Sequence, residues 1–201
     1  IMIGGVDILV NNAGFDLYGG LEDTTMDQFS EQMDTNFVGA VRVIKAVLPL
    51  MRRQGFGRII NISSLGGQIG LPMNSAYAAS KFALEGFSES LRLELLPNGI
   101  FVSLIEPQAV STDTLESSIR FVSSPYGPFM ERTSKIVAMM RAEGKASPVS
   151  PGQVAMTVLR TLQESRPELR YPVGMQARWL PLMKAILPQS IFEHIMVKRF
   201  P

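Results

Sequence analysis

Apolar positions along this chain follow two patterns, short unbroken runs and helical spacing. Val6-Asp7-Ile8-Leu9-Val10 is a short run ended by Asn11-Asn12-Ala13-Gly14, which predicts a strand buried on both faces and then a loop. Helical spacing covers residues 27–54, with Asp27 as N-cap and apolar positions that include Phe29, Met33, Phe37, Ile44, Leu48 and Met51. Pro49 predicts a local kink in it, and Gly55 and Gly57 stop it. Residues 58–63 form the next strand, residues 64–72 a glycine-bearing loop, and residues 74–96 a second long helix closed by Pro97-Asn98-Gly99. Residues 101–105 are the third strand, ended by Glu106-Pro107. From Ser111 to Ser150 the pattern loosens, with Pro125, Gly127 and Pro128 dividing short helical pieces. Residues 154–163 make another helix, and residues 170–173 a weak strand whose Pro172 places it at a sheet edge.

Strand–helix–strand–helix–strand at this spacing predicts an α/β fold, a doubly wound parallel sheet built from right-handed crossovers. The whole chain, 1–201, reads as one domain. Ligands of such sheets bind beyond the C-terminal strand ends. Three loops therefore converge on one crevice: residues 11–14, 63–71 and 107–112.

Composition narrows the chemistry. Nineteen basic residues against 18 acidic, net +1, with no Lys/Arg block, argue against a nucleic-acid partner. The absence of cysteine excludes disulfides, thiolate metal sites and cysteine nucleophiles, and the lone His194 excludes His-rich zinc sites. No apolar run reaches the length of a membrane span, and Ile1-Met2-Ile3 shows no secretory signal, so a cytoplasmic protein is expected.

Tyr77 and Lys81 are four apart and share one helix face. Ser64 precedes Tyr77 by twelve intervening residues, at the end of the strand feeding that helix. A phenol ionises near pH 10 in water, and a neighbouring ammonium favours its phenolate. Tyr77 could then pass a proton to or from a substrate oxygen while Ser64 hydrogen-bonds the same oxygen. Tyr-x-x-x-Lys alone is equally the pattern of a surface tyrosine beside a solvated lysine; the placed serine makes the difference.

Asn11-Asn12-Ala13-Gly14 after a strand, Asn36 in the first long helix, Ile62-Ser63-Ser64 and Tyr77-Ala78-Ala79-Ser80-Lys81 together resemble the short-chain dehydrogenase/reductase family in its single-domain form. The likeness is firm from Val6 to Thr112, and residues 48–54 with 80–86 look most like its hydroxysteroid- and retinol-dehydrogenase-like branch. The resemblance implies a Rossmann-type sheet, NAD or NADP as cofactor, and hydride transfer at an alcohol/carbonyl pair. It implies Tyr77 as catalytic acid/base, Lys81 as the residue that lowers the Tyr77 pKa and holds the nicotinamide ribose, and Ser64 as the orienter of the substrate oxygen. Asn36 would kink its helix so that a water links Lys81 to solvent. Asn12, Ala13 and Gly14 would lie along the adenosine-side ribose, Asn11 would tie strands together, and Pro107, Val110 and Thr112 would border the nicotinamide.

Two departures stand out. Pro107-Gln108 replaces the family's Pro-Gly, restricting backbone choice where the nicotinamide lies. Nothing matches the glycine-rich turn that holds the pyrophosphate at a helix N-terminus. Gly66-Gly67-Gln68-Ile69-Gly70 follows the catalytic strand and reads as an active-site loop. The first strands are therefore expected to be missing, Val6–Val10 to be an exposed apolar edge, and cofactor binding by the chain alone to be weak.

Residues 113–150 fall where the family places its variable substrate lid. Phe121, Tyr126, Phe129, Met130, Met139 and Met140 suit a lipophilic alcohol or ketone there, or ordinary core. The amphipathic residues 177–199, interrupted at Pro181 and Pro188, are expected to pack back on the domain, with a peripheral membrane contact or a dimer contact as alternatives. The resemblance also implies a homo-oligomer through the two long helices. Rival readings are a sugar-nucleotide epimerase, which shares Tyr-x-x-x-Lys, and a non-catalytic remnant or scaffold.

Overall fold

A computed structural model describes residues 4–111, 119–122 and 127–200. Strands β1 (Ile8–Asn11), β3 (Gly57–Ile62), β4 (Ile100–Pro107) and β6 (Arg170–Val173) form one sheet in the order β1-β3-β4-β6, every pair parallel. The two central strands are the core. Ile59, Ile60, Val102, Leu104 and Ile105 are at most 1% exposed, each fully buried side chain contributing about 1.5–3 kcal/mol. Helices α2 (Gly39–Gln54) and α3 (Ser75–Leu95) cover one face through Ile44, Met51, Leu91 and Leu95. Helix α5 (Pro151–Gln163) supplies Val154 and Val158 to a second cluster with Ile60, Ile105 and Val173. The sheet is the expected doubly wound one. Among the described residues β1 is an edge strand with Ile8 47% and Val10 42% exposed, so it is not buried on both faces as its apolar run predicts but exposed as the expected loss of the first strands implies.

The single helix expected over residues 27–54 is three pieces. Helix α1 (Met26–Met33) leads into a π-helical segment, Asp34–Val38, and then into α2. Its N-cap is Thr25 rather than Asp27: the Thr25 hydroxyl accepts from the Gln28 N–H while the Gln28 side chain returns to the Thr25 N–H. Asp27 falls in the first turn, where its charge suits the helix dipole. Pro49 sits inside α2 without ending it.

Beyond β4 the short helical pieces expected between residues 111 and 150 prove to be one 20-residue helix, α4 (Gly127–Ala146). Gly127 and Pro128 open it instead of breaking it, because a first-turn proline loses no helical hydrogen bond. A second, two-stranded sheet pairs β2 (Asp16–Tyr18) with β5 (Ile119–Phe121) in parallel. The C-terminal segment forms α6 (Met175–Ile186) and α7 (Gln189–Arg199), broken at Pro188 but continuous through Pro181. Phe192 and Met196 of α7 pack with Leu65, Ile69 and Ile136, so this segment does fold back on the domain.

Candidate active site

The ends of β1, β3 and β4 deliver the three anticipated loops to one cavity of about 340 Å³. Asn12, Gly14, Ser64, Tyr77, Lys81, Pro107 and Val110 all line it. Ala13 is exposed and is not among the residues lining this cavity. Thr112 lies outside the described residues.

Lys81 is buried, and its Nζ donates to the Ile62 carbonyl at 2.8 Å while standing 5.7 Å from the centre of the Tyr77 ring. Burial pulls the ammonium down to about 8, against the opposing charges of Asp16 and Glu85. The same burial, aided by the Asp16 charge, pushes the Tyr77 hydroxyl upward, and the hydrogen bond from Ser64 only partly offsets this. The expected lowering of Tyr77 by Lys81 is therefore absent in the protein as it stands. Desolvation sets the direction.

Ser64 starts a short 3₁₀ turn, Leu65–Gly67, its hydroxyl accepting from the Gly66 N–H at 3.1 Å. A Cβ on Gly66 would meet the Tyr77 ring at 3.0 Å, and one on Gly67 the Ser63 hydroxyl at 2.8 Å. These glycines let the turn lie directly on α3, with Gly66 in the cavity wall.

Asn36, in the π segment, is 2% exposed. Its Oδ1 accepts from the Phe15 N–H at 3.0 Å, and its Nδ2 donates to the Phe15 carbonyl at 2.9 Å and the Ser80 hydroxyl at 3.2 Å. The extra residue of the π turn aims this amide across to the β1–β2 connection and α3 at once. Asn11 ties strands as anticipated, donating to Asn61 at 2.8 Å while Asn61 donates to Ser88 at 2.8 Å. Gln108, where the family carries glycine, uses its side chain as a cap: its Oε1 accepts from the Gln176 N–H at 2.9 Å in the first turn of α6.

Two features escaped the sequence reading. Asp16, on β2, lines the cavity and accepts from Asn74 Nδ2 at 2.5 Å. Its carboxyl is raised to about 6 by burial, against hydrogen bonds from Asn74 and Tyr18 and the charge of Lys81. An aspartate in a loop after Asn-Ala-Gly reads as a solvated turn residue, and no periodicity marks it otherwise. The second feature is a buried acid pair. Glu85 and Glu106, each 4% exposed, share Arg170, whose Nε lies 3.2 Å from one and 3.3 Å from the other. Gln68 Nε2 donates to both, at 2.9 Å and 3.1 Å.

Residues 2–121 match the family described as short chain dehydrogenase. An uncharacterized oxidoreductase, YusZ, of Bacillus subtilis (strain 168) is 41% identical over 199 residues, 96% of this chain and 70% of that protein. Retinol dehydrogenase 8 of Bos taurus is 38% identical over 209 residues, 98% of this chain and 67% of that protein. The crystal structure of a short-chain dehydrogenase from Streptomyces avermitilis superposes with a TM-score of 0.81 at 31% identity, covering 96% of this chain and 68% of that one. One from Burkholderia phymatum in complex with NAD shares the fold, with a TM-score of 0.74 at 20% identity over 95% of this chain and 68% of its own. The chain belongs to the short-chain dehydrogenase family, a family of NAD(P)-dependent oxidoreductases. It spans about two thirds of the length of these relatives.

Proposed function

We propose that this protein interconverts an alcohol and a carbonyl, with Tyr77 as acid/base, Ser64 and Lys81 as its partners, and a lipophilic substrate in the crevice. The observation that carries the reading is the convergence of Ser64, Tyr77 and Lys81 on one cavity beyond the strand ends. The wall fits the nicotinamide–ribose end of NAD or NADP. Ile62, Pro107 and Val110 offer apolar surface for a flat ring, while Lys81 and Asn12 offer donors for ribose hydroxyls. When bound, the cofactor supplies or accepts the hydride.

The chain's own residues handle the proton. In the reducing direction the Tyr77 hydroxyl gives its proton to the developing alkoxide; in the oxidising direction the Tyr77 oxygen takes it back. Ser64 holds the substrate oxygen against that hydroxyl, and Lys81 stabilises the phenolate left behind. The raised Tyr77 value suits the acid role, keeping the proton available until an oxyanion forms. Asn36 acts as a positioning residue, through Phe15 and Ser80.

Leu65, Ile69, Leu71, Leu180, Met196 and Phe200 make much of the remaining wall apolar, which supports a lipophilic substrate. Of the anticipated lid, Met139 packs with this cluster, whereas Phe121 and Met130 are 42% and 41% exposed. Tyr126 lies outside the described residues, as do the side chains of Phe129 and Met140. Leu93 and Phe82 on α3 are 69% and 38% exposed, which supports the homo-oligomer through the long helices. Among the described residues no helix is long and apolar enough to cross a membrane.

The decisive experiment is Tyr77→Phe. Turnover should fall at least about a hundredfold with cofactor affinity largely kept. Retention of more than about a tenth of kcat, a loss of only about 1.4 kcal/mol, would remove Tyr77 from the role.

A further inference from the structure

Among the described residues, Asp16 is the one carboxylate lining a cavity whose other charged groups are Lys81 and Arg199. It stands on β2 within the same crevice as Ser64 and Tyr77. We propose that Asp16 binds an ammonium group of the substrate, so that the natural substrate is a lipophilic amino alcohol, or the matching amino ketone. The proposal rests on the reading of Tyr77 as acid/base and adds the polar group that an apolar crevice would otherwise have no reason to face.

Three observations carry it. First, Asp16 accepts from Asn74 Nδ2 at 2.5 Å and is hydrogen-bonded by Tyr18 as well. A carboxylate has room for about four donors. Second, Asn74 is 1% exposed, and its own Oδ1 has no hydrogen-bond partner among the described residues. That leaves a second buried acceptor beside the first, and an ammonium brings three N–H donors where a hydroxyl brings one. Third, the rest of the wall is largely apolar, so a lipophilic chain that enters displaces water from Asp16. A substrate without a donor would take that water from the carboxylate and return nothing for it, which is unfavourable. Lys81 repels a second cation and already shares the charge of Asp16, but its ammonium also faces the Ile62 carbonyl and the charge of Glu85. The lowered solvent access that makes Asp16 costly also strengthens its attraction for a paired cation.

The test uses a matched pair of alcohols, 1-aminododecan-2-ol and tridecan-3-ol, which differ by ammonium in place of methyl. At about pH 8, Asp16, raised to about 6, is ionised, and an alkylamine, protonating like a lysine near pH 10, is still charged. The wild-type protein with NAD or NADP should oxidise the amino alcohol with a kcat/KM about a hundredfold higher, the discrimination open to a site that hydrogen-bonds its substrate. In Asp16→Asn, which keeps the oxygen that Asn74 bonds, the ratio should collapse towards one. A wild-type ratio at or below one overturns the proposal. So does a wild-type preference that survives in Asp16→Asn while both rates fall together, which would make Asp16 a brace for Tyr18 and Asn74. Turnover of neither alcohol would sink the Tyr77 reading itself, and this proposal with it.

Discussion

Lys81 and Glu85 stand one turn apart on α3, exposed by only 6% and 4%, and each holds a charge that water no longer supports. Around Lys81 the protein offers one carbonyl, from Ile62, the charges of Asp16 and Glu85, and an open cavity. Around Glu85 it offers Arg170, Gln68 and a second acid, Glu106. Burial lowers the Lys81 ammonium to about 8 and raises Glu106 to about 8. The difference lies in what is left over. The cavity-facing cation keeps donors unspent, which a ligand can use. The acid pair behind it meets Arg170 instead, which joins β4, α3 and β6. Similar burial thus gives a reactive site on one turn and a clasp on the next.

The comparison breaks most severely at Lys81. Lys81→Met keeps the apolar stem but removes the cation, so turnover should drop at least about a hundredfold. The KM for the cofactor should rise in the same variant, because the ammonium would meet the ribose as well as stabilise Tyr77. Steady-state kinetics decide this, and an unchanged cofactor KM would reduce Lys81 to a neighbour of Tyr77.

At Arg170 the expected loss is in stability. Arg170→Met strands Glu85 and Glu106 without their guanidinium. Breaking a buried pair costs about 3–5 kcal/mol, and since Arg170 is 36% exposed, about 2–3 kcal/mol is expected here. At about 2–4 °C per kcal/mol for a chain of this size, the Tm should fall by roughly 4–12 °C. Below that Tm the kcat should hold near its wild-type value. A large loss of kcat in well-folded protein would show that the clasp also sets the chemistry.

The crevice was far more legible in the sequence than the clasp, and the reason is physical. Ser64, Tyr77 and Lys81 are joined by one strand, one turn and one helix, so local periodicity carries them to the same place. Glu85, Glu106 and Arg170 come from a helix and two strands, and only the β4–β6 register, pairing Glu106 with Pro172 and Ile105 with Tyr171, brings Arg170 near. Charged residues on amphipathic elements ordinarily read as solvated. Strands β2 and β5 are three residues each, too short for a period, so the sheet that presents Asp16 had no signature. The π turn at Asn36 was hidden for the opposite reason: its apolar spacing is close enough to α-helical that residues 27–54 read as one helix. Helix α4 was misread because Gly127 and Pro128 look like breakers wherever they fall, yet are harmless at a first turn.

The smallest and most specific effect is in the pH dependence of stability. Burial and the neighbouring Glu85 charge raise Glu106 from the ordinary carboxyl range to about 8, and as the neutral acid it hydrogen-bonds Glu85. The folded chain therefore holds a proton that the unfolded chain releases near pH 4.3. Stability from this proton is fully present below about pH 4.3 and is lost as pH rises through about 8. Glu106→Gln supplies a neutral donor at every pH and removes that loss. At about pH 5 the two proteins should melt within roughly 2 °C of each other; at about pH 9 the variant should melt higher by about 2–4 °C, the equivalent of about 1 kcal/mol. Arg170 keeps the gain small, because its guanidinium already offsets part of the second negative charge. Thermal melts across that range decide the matter. A variant that loses ground to wild type as pH rises would mean that both acids are ionised in the folded protein, held by Arg170 alone. Arg170→Met would then bring a far larger loss at high pH than at low.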